Sequence, residues 1–259
     1  MPVELAAAEF GAGPPLAILH GLFGSGRNWQ SIAQQLAARH RVLTFDLRNH
    51  GASPWTEGMS YREMVEDLRL SLRAHGIARA ALLGHSMGGK VAMLSALLHP
   101  EEVDRLVVVD IAPAANPPAL LSYIRAMRVL DLRGIRRRGE VDAGLAESVP
   151  DPAERAFLLQ NLVIGEDSAR WRLNLEAIER EFPQIAGFPD LPAGIAYPRP
   201  ALFVAGARSN YMPPGHEPVV RRLFPQARIS RIEGAGHWVH AEQPRAFLQA
   251  VGPFLSGVD

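Results

Sequence analysis

Ala80-Ala81-Leu82-Leu83-Gly84-His85-Ser86-Met87-Gly88-Gly89-Lys90 is the stretch that decides the fold. Four apolar residues run into G-x-S-x-G, and a helix-like segment over 89–98 follows, stopped by Pro100. Strand, sharp turn and helix are the setting in which this pentapeptide lifts a serine hydroxyl out of a sheet edge. Glycine is wanted at 84 and 88 because a side chain there would collide across the turn. The helix N-terminus behind Ser86 directs its dipole and free N–H groups toward any negative charge that develops beside the hydroxyl.

Outward from this stretch, short apolar runs alternate with amphipathic segments. Leu16-Ala17-Ile18-Leu19 reads as a strand, 27–38 as a helix, and 41–45 as the next strand. Ser60 followed by Glu63 is a capping box that opens a helix running to His75-Gly76. Leu106-Val107-Val108-Val109 is a buried strand ending at Asp110. Wholly apolar strands separated by helices indicate a parallel sheet covered on both faces. The alternation stops after Asp110. Over 112–193 no apolar strand run is visible, and helices are expected over 119–132, 141–149, 153–163 and 175–182. Pro113, Pro117 and Pro118 mark one border, and Pro189, Pro192, Pro198 and Pro200 the other. Strand 201–205, helix 218–224, strand 228–232 and helix 245–255 then resume the pattern. The expected organisation is a core of residues 1–112 and 194–259, with 113–193 a helical cap inserted into it.

A serine hydroxyl is a weak nucleophile at neutral pH. It needs a base, and the base needs a third group to orient it. His237, in Gly234-Ala235-Gly236-His237-Trp238 after the last strand, has the position of the base. His240 is the competitor. The loop Gly206-Ala207-Arg208-Ser209-Asn210-Tyr211 contains no carboxylate, so Asp110 is the candidate acid, with Asp190 as the alternative. Burying an unpaired aspartate at the end of an apolar run is costly, and a bond to His237 would offset that cost. An oxyanion needs backbone N–H groups. Met87 supplies one, and His20-Gly21-Leu22-Phe23-Gly24 supplies the other, from Leu22 or, as runner-up, Phe23. His20 is expected to hold that loop in shape. The polar run 46–53 lacks metal-ligand spacing and is expected to be a structural loop packed on the oxyanion loop.

Composition sets the remaining bounds. The chain has 259 residues, 47% hydrophobic content and a formal net charge of zero, which suits one α/β domain with an insertion and gives no reason to expect nucleic acid or an anionic membrane as partner. Lys90 is the only lysine. There is no cysteine, so thiolate chemistry and disulfides are excluded. No apolar run reaches the roughly 18 to 20 residues of a membrane span. The first ten residues lack the features of a signal peptide, and a cytoplasmic protein is expected.

Together these segments resemble the α/β-hydrolase superfamily, and within it the small bacterial esterase/thioesterase branch of YbfF type. The likeness rests on His20-Gly21-Leu22-Phe23-Gly24-Ser25, 46–53, 84–90, Asp110-Ile111-Ala112-Pro113, Trp171-Arg172-Leu173-Asn174 and 236–242. It implies an α/β-hydrolase fold with a mostly parallel sheet, and a helical cap after the family's sixth core strand, which places the triad acid at Asp110. It also implies a small-molecule acyl ester or thioester as substrate, with no cofactor and no metal. The loop 206–211 is similar to the branch's G-G-x-S-x-Y, with Ala207 and Asn210 as departures. Candidate substrate contacts are Phe23, Ser209, Tyr211, Trp238 and the cap residues Tyr123, Ile124 and Met127. Leu120 and Leu121 belong with them if that helix faces the cleft, and all five cap residues are the cap's own core if it does not. A C–C bond hydrolase or a menaquinone-pathway-type lyase is the alternative enzyme. It would need arginines, for which Arg125 and Arg128 are candidates. A non-catalytic binding protein on the same fold is the alternative of another class.

Overall fold

The computed structural model describes residues 1–257 except 117–119 and 167, so the expected border prolines Pro117 and Pro118 lie outside the described residues. The order is β1 (Ala7–Phe10), β2 (Pro15–Leu19), α1 (Gln30–Leu36), β3 (Arg41–Phe45), α2 (Tyr61–Ala74), β4 (Ala80–His85), α3 (Met87–Leu98) and β5 (Val103–Val109). An excursion follows, made of α4 (Leu120–Val129), α5 (Arg138–Leu145), α6 (Pro152–Leu159), β6 (Leu162–Ile164), β7 (Ala169–Trp171) and α7 (Leu175–Ala186). The chain then returns through β8 (Ala201–Gly206), α8 (Glu217–Leu223), β9 (Ala227–Ile232), α9 (Val239–Glu242) and α10 (Pro244–Ser256).

Seven strands form one sheet in the order β1-β3-β2-β4-β5-β8-β9. Only β1 runs antiparallel, against β3. Counted along this chain, β5 is the fifth strand. The expected ordinal, the sixth, belongs to the family's numbering. Side chains alternate between the faces, as the two-residue period of a strand requires. Leu16, Ile18, Val107 and Val109 pack with Ile32, Leu36, Phe247 and Val251 under α1 and α10. Ala17, Leu19, Leu106 and Val108 pack on the other face with Val65, Leu68 and Val91 of α2 and α3. Both faces of the central strands are therefore dry, which is why they read as unbroken apolar runs. The capping box holds too: Glu63 N–H donates to Ser60 Oγ at 3.3 Å, and Ser60 N–H donates to Glu63 Oε2 at 3.0 Å.

Two elements were not legible. β1 is largely exposed and has no apolar alternation, and its existence depends on pairing with β3. The β6–β7 hairpin lies where no strand was expected, and the helix expected over 153–163 ends at Leu159. Asn161 accounts for the stop: its amide donates to Leu158 O at 3.2 Å and to Phe23 O at 2.8 Å, turning the chain out of the helix. α5 also begins earlier than expected, because the Glu140 carboxylate accepts the Arg137 N–H at 2.8 Å. No helix of the described residues is long and apolar enough to cross a membrane.

The return from the excursion is held by the core. Tyr61 Oη donates to Ile185 O at 2.6 Å, Asn116 N–H to Ala186 O at 2.8 Å, and Lys90 Nζ to Ala186 O at 3.0 Å and Gly187 O at 2.6 Å. Lys90 thus bridges the helix behind Ser86 and the end of α7. Burial pushes its ammonium down to about 7.

Candidate active site

Ser86 sits between β4 and α3 with φ 51° and ψ −118°, a left-handed backbone that few non-glycine residues adopt. The turn tolerates no bulk: a Cβ on Gly84 would lie 2.2 Å from Gly88 O, and one on Gly88 2.5 Å from His20 O. Ser86 N–H donates to Val109 O at 3.0 Å and Gly88 N–H to His20 O at 3.1 Å, so the elbow is tied to the strand ends on either side.

His237 and Asp110 meet at the same sheet edge. The imidazole Nδ1 lies 2.7 Å from Asp110 Oδ2. A carboxylate only accepts, so Nδ1 carries the proton and Nε2 is the free nitrogen. Asp110 is wholly buried and also left-handed, at φ 52°. Its carboxylate accepts two further bonds, from Gly206 N–H at 2.9 Å to Oδ1 and from the Ser209 hydroxyl to Oδ2. Three donors satisfy it, which is how a buried carboxylate is tolerated. The carboxylate that loop 206–211 lacks is thus replaced by a hydroxyl turned toward Asp110. Ser209 Oγ in turn accepts Tyr211 N–H at 3.2 Å, and the Tyr211 ring stacks on His237 at 3.8 Å. Asp190 is exposed and makes no such contact. His240 is buried against Trp29, stacked at 3.8 Å, and burial pushes it down to about 3.

The loop 20–24 is fixed by two buried histidines. His20 Nε2 accepts Leu47 N–H at 2.9 Å, so its Nδ1 donates to Gly21 O at 2.8 Å. His50 Nε2 accepts Phe23 N–H at 3.3 Å, and its Nδ1 donates to Arg48 O at 2.9 Å. Burial lowers His20 to about 4 and His50 to about 3, keeping both neutral and able to accept. The Phe23 N–H is therefore already engaged. The N–H groups of Leu22 and Met87 donate to no described residue. Asp46 uses its two oxygens on Gly26 N–H at 2.7 Å and Ala52 N–H at 2.8 Å, and the run 46–53 packs against the loop 20–24 through the His20 and His50 bonds.

Two cavities have Ser86 in their walls. The outer one, about 80 Å³, is walled by His237, Trp238, Phe23, Tyr123, Phe157 and Tyr211. The inner one, about 30 Å³, is walled by Leu22, Met87, Tyr61, Lys90, Phe182 and Ile185. Leu120 lines both. Ile124 and Met127 do not reach either wall: both are fully buried in the hydrophobic cluster beneath α4. Leu121, Arg125 and Arg128 lie on a different groove, where both arginines pair with Glu179. Sequence reasoning missed His85, whose Nε2–H donates to His237 O at 2.9 Å and anchors the histidine loop. Its only signal was its place inside the pentapeptide. Sequence reasoning also missed Glu154, which accepts the Tyr123 hydroxyl at 2.5 Å and raises that phenol to about 12.

This sheet order, with a serine elbow facing a histidine loop, defines an α/β-hydrolase. The family model described as alpha/beta hydrolase fold matches residues 14–244, and the chain belongs to that family. Within it, the chain falls in the esterase branch that includes YbfF. It is 36% identical over 246 residues to esterase YbfF of Escherichia coli, covering 93% of each chain. It is 42% identical over 251 residues to the sn-1-specific diacylglycerol lipase ABHD11 of Mus musculus, covering 94% of this chain and 81% of that one. Among solved structures, a marine microorganism esterase matches with a TM-score of 0.93 and 38% identity, over 98% of this chain and all of the other.

Proposed function

We propose that Ser86, His237 and Asp110 act as the catalytic triad of a carboxylesterase-type serine hydrolase that cleaves acyl esters or thioesters. The observation that carries this is the Asp110–His237 bond of 2.7 Å beside a left-handed Ser86 on one cavity wall. His237 Nε2 takes the Ser86 proton as Oγ attacks the carbonyl carbon, and the N–H groups of Leu22 and Met87 hold the oxyanion. The C–O or C–S bond breaks, and His237 returns the proton to the leaving group. Water then attacks the acyl-serine with His237 again as base, releasing the acid and restoring Ser86. Asp110 keeps Nδ1 protonated and stabilises the imidazolium. Named esterases and a lipase among the relatives support the reaction class.

The same logic divides the cleft. His237 must reach the leaving group, so the leaving group occupies the outer cavity with Trp238 and Phe157. The acyl group occupies the inner cavity, beside Leu22 and Met87. About 10–15 Å³ holds one water-sized group, so the 30 Å³ inner cavity fits short acyl chains. Residues 113–193 act as the cap over a core of 1–112 and 194–259, with Tyr123 and Phe157 as its contribution to the cleft.

Turnover of p-nitrophenyl acetate, butyrate and octanoate by the wild type and by Ser86→Ala tests this. The wild type should favour the two short esters, and the variant should lose nearly all turnover. Equal turnover by Ser86→Ala would overturn the proposal.

A further inference from the structure

A broad concavity separate from the cleft at Ser86 lies on another side of the described residues. It measures about 980 Å³ and lies between the exposed edge at β1 and the β6–β7 hairpin. Arg27, Arg138, Arg170 and Arg172 line it, with Asn28 and Gln160 between them. The strand period puts two of these arginines together: along β7 and just beyond it, Ala169 and Trp171 turn inward, so Arg170 and Arg172 share the opposite face. Arg27 comes from the turn before α1, across the groove. Asn28 Nδ2 donates to Gln160 Oε1 at 2.5 Å and ties the two walls.

Among the described residues these guanidinia have no carboxylate partner. The Arg138 guanidinium donates to the carbonyls of Leu159 and Leu162, while the side chains of Arg27, Arg170 and Arg172 make no hydrogen bond or ion pair with a described residue. Elsewhere many arginines are paired: Arg48 with Asp67, Arg69 and Arg73 with Glu102, Arg125 and Arg128 with Glu179. Asp46 is the only carboxylate on the described wall, and both its oxygens are engaged by backbone N–H groups. In Trp171-Arg172-Leu173-Asn174 three residues have structural work. Trp171 Nε1 donates to Met127 O at 3.1 Å, Leu173 is core and bridges His50, and Asn174 caps α7. Only the Arg172 side chain is left without such work.

We propose that this groove binds a small soluble polyanion of the phosphate-ester or phosphoanhydride class. A concave wall carrying one sign of charge focuses its field on whatever enters. The planar guanidinium fork matches phosphate oxygens two at a time. A volume near 980 Å³ suits a ligand of nucleotide size. The arginines line the inside of a concavity, where a flat bilayer cannot reach them together. This site does not depend on the hydrolase reading, because its ligand need not be turned over.

The test is isothermal titration of the full chain with inorganic pyrophosphate. One saturable site is expected, weakening severalfold between about 20 and about 200 mM NaCl as screening grows. The Arg170→Gln/Arg172→Gln double variant should raise Kd by about tenfold or more, while keeping wild-type turnover of p-nitrophenyl butyrate. Arg27→Gln, on the opposite wall, should weaken binding as well. Ser86→Ala should bind as the wild type does, which separates this site from the cleft whatever becomes of the esterase activity. No saturable binding, or binding unchanged in the double variant, would overturn the proposal. So would retention on anionic phosphatidylglycerol vesicles with no affinity for free pyrophosphate.

Discussion

The carboxyl edge of the sheet and the excursion between β5 and β8 are built on different principles. Among the described residues, four non-glycine positions have positive φ: Phe23 at 63°, Asn49 at 65°, Ser86 at 51° and Asp110 at 52°. Each follows one of the four successive strands β2, β3, β4 and β5, and none lies in the excursion. Strained backbone of this kind costs on the order of 1–3 kcal/mol per residue and persists only where the surroundings fix it. Here the surroundings are strand ends, close glycine contacts and the buried histidines. The excursion is made of ordinary capped helices and one hairpin, joined by arginine–carboxylate pairs at its surface. The edge supplies the positions that carry the site. The excursion supplies walls, tied to that edge where Asn161 donates to Phe23 O at 2.8 Å and Asn174 to Asn49 Oδ1 at 3.1 Å.

The sharpest way to break this comparison is to remove chemistry without bulk. Ser86→Ala should lower kcat/KM for p-nitrophenyl butyrate by about 10⁴-fold or more, and Asp110→Asn by about 10³ to 10⁴, because the amide no longer holds His237 in the required tautomer. Circular dichroism should remain that of the wild type for Ser86→Ala. If Asp110→Asn keeps nearly full activity, the acid has been misassigned and the strain at residue 110 has another purpose. The next largest effect concerns fold. Gly84→Ala would place a Cβ 2.2 Å from Gly88 O, against backbone that cannot retreat. Thermal melts should show a loss of about 4 kcal/mol or more, the range of exceptional single mutations. An unchanged Tm would mean that the elbow is looser than its contacts imply.

The difference between the regions also explains what the sequence disclosed. β2, β4, β5 and β8 are buried on both faces, so their burial is written as uninterrupted apolar runs, and the residues at their ends follow from where those runs stop. Ser86 and Asp110 stand where two of those runs stop; His237 follows the only partly buried β9 and was read from its small-residue loop Gly234-Ala235-Gly236. The partners of Asp110 were not: Gly206 contributes only a backbone N–H, and Ser209 is one hydroxyl among many until the fold turns it inward. In the excursion, burial is partial. Ile124 and Met127 could have faced either way along α4, and only packing against α7 decides that they are core while Tyr123 faces the cleft. The β6–β7 hairpin is three residues per strand, too short to leave a pattern.

A smaller effect separates the regions by pH. His20, His50 and His240 are held neutral by burial, at about 4, 3 and 3 against an ordinary 6.5. Below 6.5 the unfolded chain takes up protons that the folded edge refuses. Their contribution to stability is therefore complete above pH 6.5, and is lost progressively as pH falls toward 4 and then 3. Each histidine can contribute a slope of up to about 1.4 kcal/mol per pH unit. The urea midpoint should fall clearly between pH 7 and pH 5, and His50→Asn should flatten that fall. The surface pairs of the excursion predict nothing in this window, since carboxylates such as Glu179, held below the usual carboxylate range by the Arg128 and Arg125 guanidinia, release their contribution only in stronger acid. A midpoint independent of pH from 7 to 5 would mean that the buried histidines accept protons in place.

The smallest expected effect belongs to the outer face of the excursion. Arg125 and Arg128 pair with Glu179 across α4 and α7, and their side chains keep 64% and 42% of their exposure. Exposed pairs of this kind contribute about 0–1 kcal/mol, because water screens them and ordering long side chains offsets the attraction. Arg128→Gln should therefore change stability by no more than about 0.5 kcal/mol and leave ester turnover as it is. This near-zero result is informative because of where Arg128 lies. It was a candidate for gripping a substrate carboxylate in a C–C bond hydrolase, yet its groove is not the cavity that contains Ser86. A tenfold fall in turnover would mean that α4 swings its charged face into the cleft during the reaction. The excursion would then share in the chemistry, and the division of labour between fixed edge and variable wall would fail.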